Sequence, residues 1–168
     1  MLYEYDDFMA SIRTVIDLGC GSGLDLEWWA SATTRDEVPR HLNINCTGVD
    51  LAQELPIARK YPNINYQPTD FEGTINTPKK SKYDVLWSHD SFQYAVNPLQ
   101  TLNSWWNIAS DNAMLVIIVP QTVNIQRNQI SFYQPSNCYY HYSIVSLMHM
   151  LAVSGWDCRC LLYTSPSP

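Results

Sequence analysis

Short apolar runs alternate along the chain with stretches in which apolar residues recur at helical spacing, and that alternation orders the elements. Runs at residues 14–18, 45–49, 64–67, 83–88 and 114–119 read as strands, with residues 156–162 as a candidate final strand. Helical periodicity covers residues 5–12, 24–31, 53–60, 98–108 and 141–154. Pro98 opens its helix at the first position, where a missing N–H costs nothing, and Pro56 is tolerated only because it falls in a first turn. Residues 114–119 are apolar almost without a break, as expected of a strand covered on both faces. Alternating strand and helix predict an α/β fold, a doubly wound, mainly parallel sheet with helices on both faces.

The sharpest local signal lies where the first run ends. Residues 14–23 read TVIDLGCGSG: a buried strand stops at Gly19, Gly21 and Gly23, and a helical pattern begins at Leu24. Glycine accepts positive φ and carries no Cβ, so a ligand can approach the main chain here. The spacing is G-x-G-x-G, with Leu24 where a dinucleotide fingerprint has its third glycine. Asp17, just before the turn, would repel a pyrophosphate and attract an ammonium group. A nucleoside that carries an amino-acid cation and no phosphates fits both features.

The run V-I-D-L-G-C-G-S-G resembles the first motif of the class I S-adenosylmethionine-dependent methyltransferases, and the resemblance continues in order downstream. It implies that Asp17 and the loop of Gly19, Cys20, Gly21 and Gly23 hold the methionine portion of S-adenosylmethionine. Asp50, ending the second strand (CTGVD), would accept from both ribose hydroxyls, with Leu51 packed on the adenine face. The Asp17–Asp50 separation exceeds the roughly 20 residues of the dinucleotide fold, and the polar loop 33–41 accounts for the excess. Asp70 and Phe71, beyond the third strand, match an acid that accepts from the adenine amino group and an apolar residue against the ring.

The fourth strand, YDVLWS, delivers residues 88–94 to the carboxyl edge of the sheet, where open α/β sheets bind ligands. This stretch is similar to the D-x-V-x-S-x-x-x-L-x-H-x-x-D-P run of small-molecule methyltransferases, which puts Ser88 among the cofactor contacts. Phe92-Gln93 stands in place of Leu-His and Asn97-Pro98 in place of Asp-Pro. Asp84 reads as a structural acid at the strand start. For an acceptor that must lose a proton, His89 is the first candidate base, followed by Asp90 and Tyr94; an imidazole with a pKa near 6.5 suits that work. The implied reaction is methyl transfer to a small-molecule acceptor, the protein supplying proximity, alignment and a dry pocket.

Composition narrows the alternatives. A net charge of -6, with Lys79, Lys80 and Lys82 as the one cationic cluster, disfavours nucleic acid, whose binding leans on phosphate neutralisation. No apolar run is long enough to span a membrane, and the acidic start at residues 1–7 is unlike a signal peptide. Five cysteines without metal-ligand spacing and four scattered histidines predict reduced thiols, a cytoplasmic protein and no metal site. The pattern leaves the oligomeric state open.

Residues 121–140 form a long amide-rich stretch with Phe132, Tyr133, Tyr139 and Tyr140, expected either as a lid with aromatic walls over the acceptor pocket or as an ordinary surface loop or short hairpin arm. Residues 160–168 resemble sequencing-adapter read-through. The expectation is therefore a truncated gene fragment: a cofactor-binding methyltransferase domain at 1–159, a non-native or disordered tail at 160–168, and a fifth strand left with an open edge. Three other functions share parts of this pattern. Aminopropyl transfer wants more acids beyond the fourth strand than Asp90 alone, and a nicotinamide oxidoreductase is disfavoured by Asp17 and Leu24. A non-catalytic S-adenosylmethionine-binding module is the closest rival.

Overall fold

The computed structural model describes residues 9–33, 41–73, 82–120 and 138–158. Strands β1 (Thr14–Leu18), β2 (Asn45–Asp50), β3 (Ile64–Pro68), β4 (Tyr83–His89) and β5 (Ala109–Ile118) form one sheet in the order β3-β2-β1-β4-β5. Every pairing is parallel. The strand order reverses between β1 and β4, so loops leaving their carboxyl ends diverge and open a crevice, the usual ligand position in such sheets.

Strand residues alternate between two cores. Val15, Cys46, Ile64 and Val85 face α1 (Leu24–Ala30), which buries Leu26 and Trp29 against them. Ile16, Leu18, Val49 and Leu86 face the opposite way, towards α2 (Pro98–Ile108) and α3 (Ile144–Val153), which contribute Leu102, Trp105 and Leu151. Asp17 is therefore an acid on the α1 face of a buried strand. Gly48 makes the close packing of that face possible: a Cβ there would lie 2.5 Å from Leu26 Cδ1. Asp84 is structural, as its place at the strand start implied. Its carboxylate accepts from the amides of Arg13 (2.9 Å) and Thr14 (3.0 Å) and from the Ser110 hydroxyl, tying β1, β4 and β5 together at their amino ends.

Several elements differ from the sequence pattern. Residues 53–60 give only a 3-10 turn at Pro56–Arg59, because the proline supplies no N–H and Pro62 bars extension beyond Tyr61. β5 starts at Ala109 and not at Met114: Tyr83 pairs with Ala109 and Val85 with Met114, so residues 110–113, three of them polar, form a bulge within the strand. α3 starts at Ile144 and not at His141, because Ser143 and Ser146 cap each other's backbone amides. Trp156, Asp157 and Cys158 carry no strand, and Trp156 packs edge-on against Trp106 of α2 at 5.0 Å. Residues 9–11 form a helical turn, whereas 5–8 lie outside the described residues, as do 121–137 of the expected lid and the whole of 159–168. No described helix is long and apolar enough to cross a membrane.

Candidate functional site

The glycine loop is bound mainly to itself and to β2. The amides of Gly19 (2.8 Å) and Cys20 (3.0 Å) both donate to the Val49 carbonyl, and the Gly21 amide donates to Asp50 Oδ2 at 2.8 Å. An anion nest needs free amides pointing outward. Here three successive amides are already committed, so the loop offers little to a phosphate. Gly19 sits at φ +87°, and a Cβ there would come within 2.3 Å of Ser91 Cβ. Gly21, at φ +51°, faces open space, where bare backbone borders the crevice.

Cys20 contributes apolar packing. Its thiol is buried in the α1 core, and desolvation, with Asp17 and Asp50 nearby, raises its pKa far above the ordinary thiol value. Asp50 keeps capacity for a ligand: Oδ2 takes the Gly21 amide and Oδ1 the Ala52 amide (3.2 Å), which leaves a lone pair on each oxygen. Leu51 is exposed beside it, free to cover an apolar ring.

Asp17 is the unusual group. Its carboxyl is buried, accepts no hydrogen bond from the described residues, and has its pKa pushed up to about 8 by desolvation first, then by Asp25 and Asp50. A buried acid without a donor is costly when ionised, and a cation lodged beside it would remove that cost. The residues thus fit the amino-acid portion of S-adenosylmethionine.

Beyond β3, Asp70 Oδ1 accepts from the amides of Glu72 (2.8 Å) and Gly73 (3.2 Å), so this oxygen shapes its own loop. Phe71 packs beside Gly19 and against Trp105, whose indole N–H donates to the Phe71 carbonyl at 2.8 Å. Glu72, which the sequence pattern did not single out, accepts from the amides of Val96 (2.9 Å) and Asn97 (3.2 Å) at the start of α2. That contact moors the loop carrying Asp70 and Phe71.

At the end of β4 the residues separate by role. Ser88 is fully buried and its hydroxyl pairs with Ser91, whose own hydroxyl donates to the Leu18 carbonyl. Its hydroxyl is thus committed to Ser91 in the wall behind the glycine loop. Gln93 is buried and structural too, its carbonyl accepting from the amides of Tyr139 (3.1 Å) and Tyr140 (3.2 Å). Tyr94, Tyr139 and Tyr140 present exposed ring surface near the same edge. Asp90 is a non-glycine residue at φ +53°, a conformation that marks local strain.

His89 and Asp90 remain accessible. The His89 ring is held through Nδ1 at 2.8 Å from Asp25 Oδ2, and the same oxygen accepts from Trp87 Nε1 at 2.8 Å. Asp25 lies in the first turn of α1, where an acid also reads as an ordinary response to the helix dipole, so nothing local distinguished it.

The chain resembles known proteins in sequence and in fold. A family model described as a methyltransferase domain matches residues 7–161. No curated protein sequence matches the chain. Among solved structures, the plantazolicin methyltransferase BpumL in complex with SAH superposes with a TM-score of 0.68 at 19% identity, over 89% of this chain and 60% of that one. A SAM-dependent methyltransferase from Archaeoglobus fulgidus gives 0.67 at 19% identity, over 92% and 65%. The Haloferax volcanii partner of the Trm112 methyltransferase activator gives 0.66 at 22% identity, over 90% and 66%. The chain thus spans just under two thirds of the length of these structures. The parallel sheet, the committed glycine loop and the matched residues lead to one assignment: the chain belongs to the methyltransferase domain family.

Proposed function

We propose that the chain is an S-adenosylmethionine-dependent methyltransferase acting on a small-molecule acceptor. One observation carries the reading: a buried carboxyl, Asp17, without a hydrogen-bond donor among the described residues, beside a loop whose amides are already spent. That pair of features favours a cationic nucleoside ligand over a phosphorylated one. When bound, S-adenosylmethionine supplies a methyl group on a sulfonium sulfur, already activated for transfer.

The chain's own residues bind and orient. Asp17 faces the methionine cation, Asp50 takes the ribose hydroxyls, and Leu51 and Phe71 flank the adenine, with Asp70 towards its amino group. His89 accepts the proton of an O–H or N–H acceptor, with Asp90 and Tyr94 beside it. The four described cysteines are free thiols, which agrees with a cytoplasmic setting.

Calorimetric titration with S-adenosylhomocysteine, run beside NADH and repeated on Asp50→Ala, tests the reading. Selective binding that the variant loses is expected. A folded protein that binds neither ligand, or NADH alone, sinks it.

A further inference from the structure

The Asp25–His89 contact joins residues 64 positions apart, and its geometry goes beyond holding a loop. We propose that Asp25 is a positioning residue that fixes the tautomer of His89, with the hydrogen on Nδ1 and the lone pair on Nε2. The inference rests on the methyltransfer reading for its purpose, though not for its geometry.

A carboxylate only accepts, so the 2.8 Å contact requires the hydrogen on Nδ1. The carboxylate is itself fixed. Trp87 Nε1 donates to the same oxygen at 2.8 Å, and the Trp87 ring meets the buried Trp29 edge-on at 5.6 Å. The imidazole therefore rests on a buttress of α1 and β4 side chains although its own side chain is 43% exposed. The opposite nitrogen has a different setting. Nε2 lies 3.9 Å from Asp90 Oδ2, too far for a hydrogen bond, so its lone pair is not engaged by that carboxylate. The acidic groups around the ring are thus Asp25 through Nδ1 and Asp90 near Nε2.

The consequence is a base with a defined direction. As an acceptor O–H or N–H bond breaks, its electron pair stays on the acceptor heteroatom and becomes the nucleophile. The proton forms a bond to the Nε2 lone pair, and the imidazolium keeps its Nδ1–H bond to Asp25 until solvent takes the proton away. The other tautomer would turn an N–H towards the acceptor and could remove nothing.

Long-range 1H–15N NMR of the imidazole nitrogens tests this without an acceptor, with His89→Gln assigning the signals. The wild type should show neutral His89 mainly as the Nδ1–H form. Asp25→Asn should shift the ratio of Nδ1–H to Nε2–H forms by about tenfold or more, the worth of one hydrogen bond to a charged group. An Nε2–H wild type, or a ratio unchanged in a folded Asp25→Asn, overturns the proposal. If that variant does not fold, the wild-type spectrum alone decides. Titration of the same wild-type sample with S-adenosylhomocysteine keeps the two ideas apart: absent binding sinks the methyltransferase reading and leaves the tautomer result standing.

Discussion

The two sides of the crevice are built by different means. On the β1–β2 side, backbone does most of the work: three loop amides are committed to Val49 and Asp50, and glycines stand where side chains would collide. On the β4 side, the arrangement rests on side chains from separate elements, with Asp25 of α1 holding His89 of β4 through Nδ1 and Asp90, at positive φ, on the side of Nε2. A rigid loop suits a ligand of constant shape, such as a cofactor. A side-chain surface can be altered residue by residue without disturbing the sheet.

Variants on the two sides should therefore fail differently. The largest loss of ligand binding is expected from Asp50→Ala, which removes the proposed ribose acceptors and the Gly21 contact together. Affinity for S-adenosylhomocysteine should fall by roughly 100- to 1,000-fold, about 3–4 kcal/mol, by calorimetry. A fall below tenfold would mean that Asp50 supports the loop and not the ligand.

Asp17→Asn should reverse the usual sense of a binding-site mutation by stabilising the ligand-free protein. The folded-state pKa of about 8 stands above the ordinary 3.8, so between these values the folded protein holds a proton that the unfolded chain has lost. Stability of the wild type therefore declines relative to the variant as pH rises from about 4 to about 8, and levels off above. Above pH 8 the asparagine variant should be ahead in denaturant melts by about 1.4 kcal/mol for each unit that separates the two pKa values, while near pH 4 the two should agree. The same group predicts that S-adenosylhomocysteine releases a proton on binding at pH 7. The observed enthalpy should then vary with the ionisation enthalpy of the buffer, and the variant should abolish that dependence.

Next in size is Gly19→Ala, in which the new methyl meets Ser91 at 2.3 Å in a left-handed backbone. A loss of about 2–3 kcal/mol in thermal unfolding is expected. Gly21→Ala gives the smallest effect, about 1 kcal/mol, because only the backbone conformation is strained and no neighbour is struck. Equal losses for the two would show that packing against Ser91 does not matter.

How much of this was legible follows from the kind of constraint involved. The strands β1 to β4, α1 and the full extent of α2 could be read from periodicity and from Pro98, because burial and helix start leave their mark on neighbouring residues. The 53–60 helix failed because periodicity outweighed the prolines, and the bulged start of β5 was hidden because Ser110, Asp111 and Asn112 are polar. At the site, Asp17, the glycines and Asp50 stood out because a tight turn and a strand-end acid are local features. The mooring role of Glu72, the burial of Ser88 and the contact of Asp25 with His89 had no local signature.

By itself, the sequence determined the alternation of elements, the glycine loop and the acids ending the first two strands, because each is dictated by residues next to one another. Only the tertiary structure decided that Asp17 is buried without a donor among the described residues, that the Ser88 hydroxyl is buried against Ser91 and that Asp25 reaches His89. Those outcomes depend on which strands lie side by side and on which face each residue emerges. Packing the whole sheet sets both at once, and no single segment encodes them.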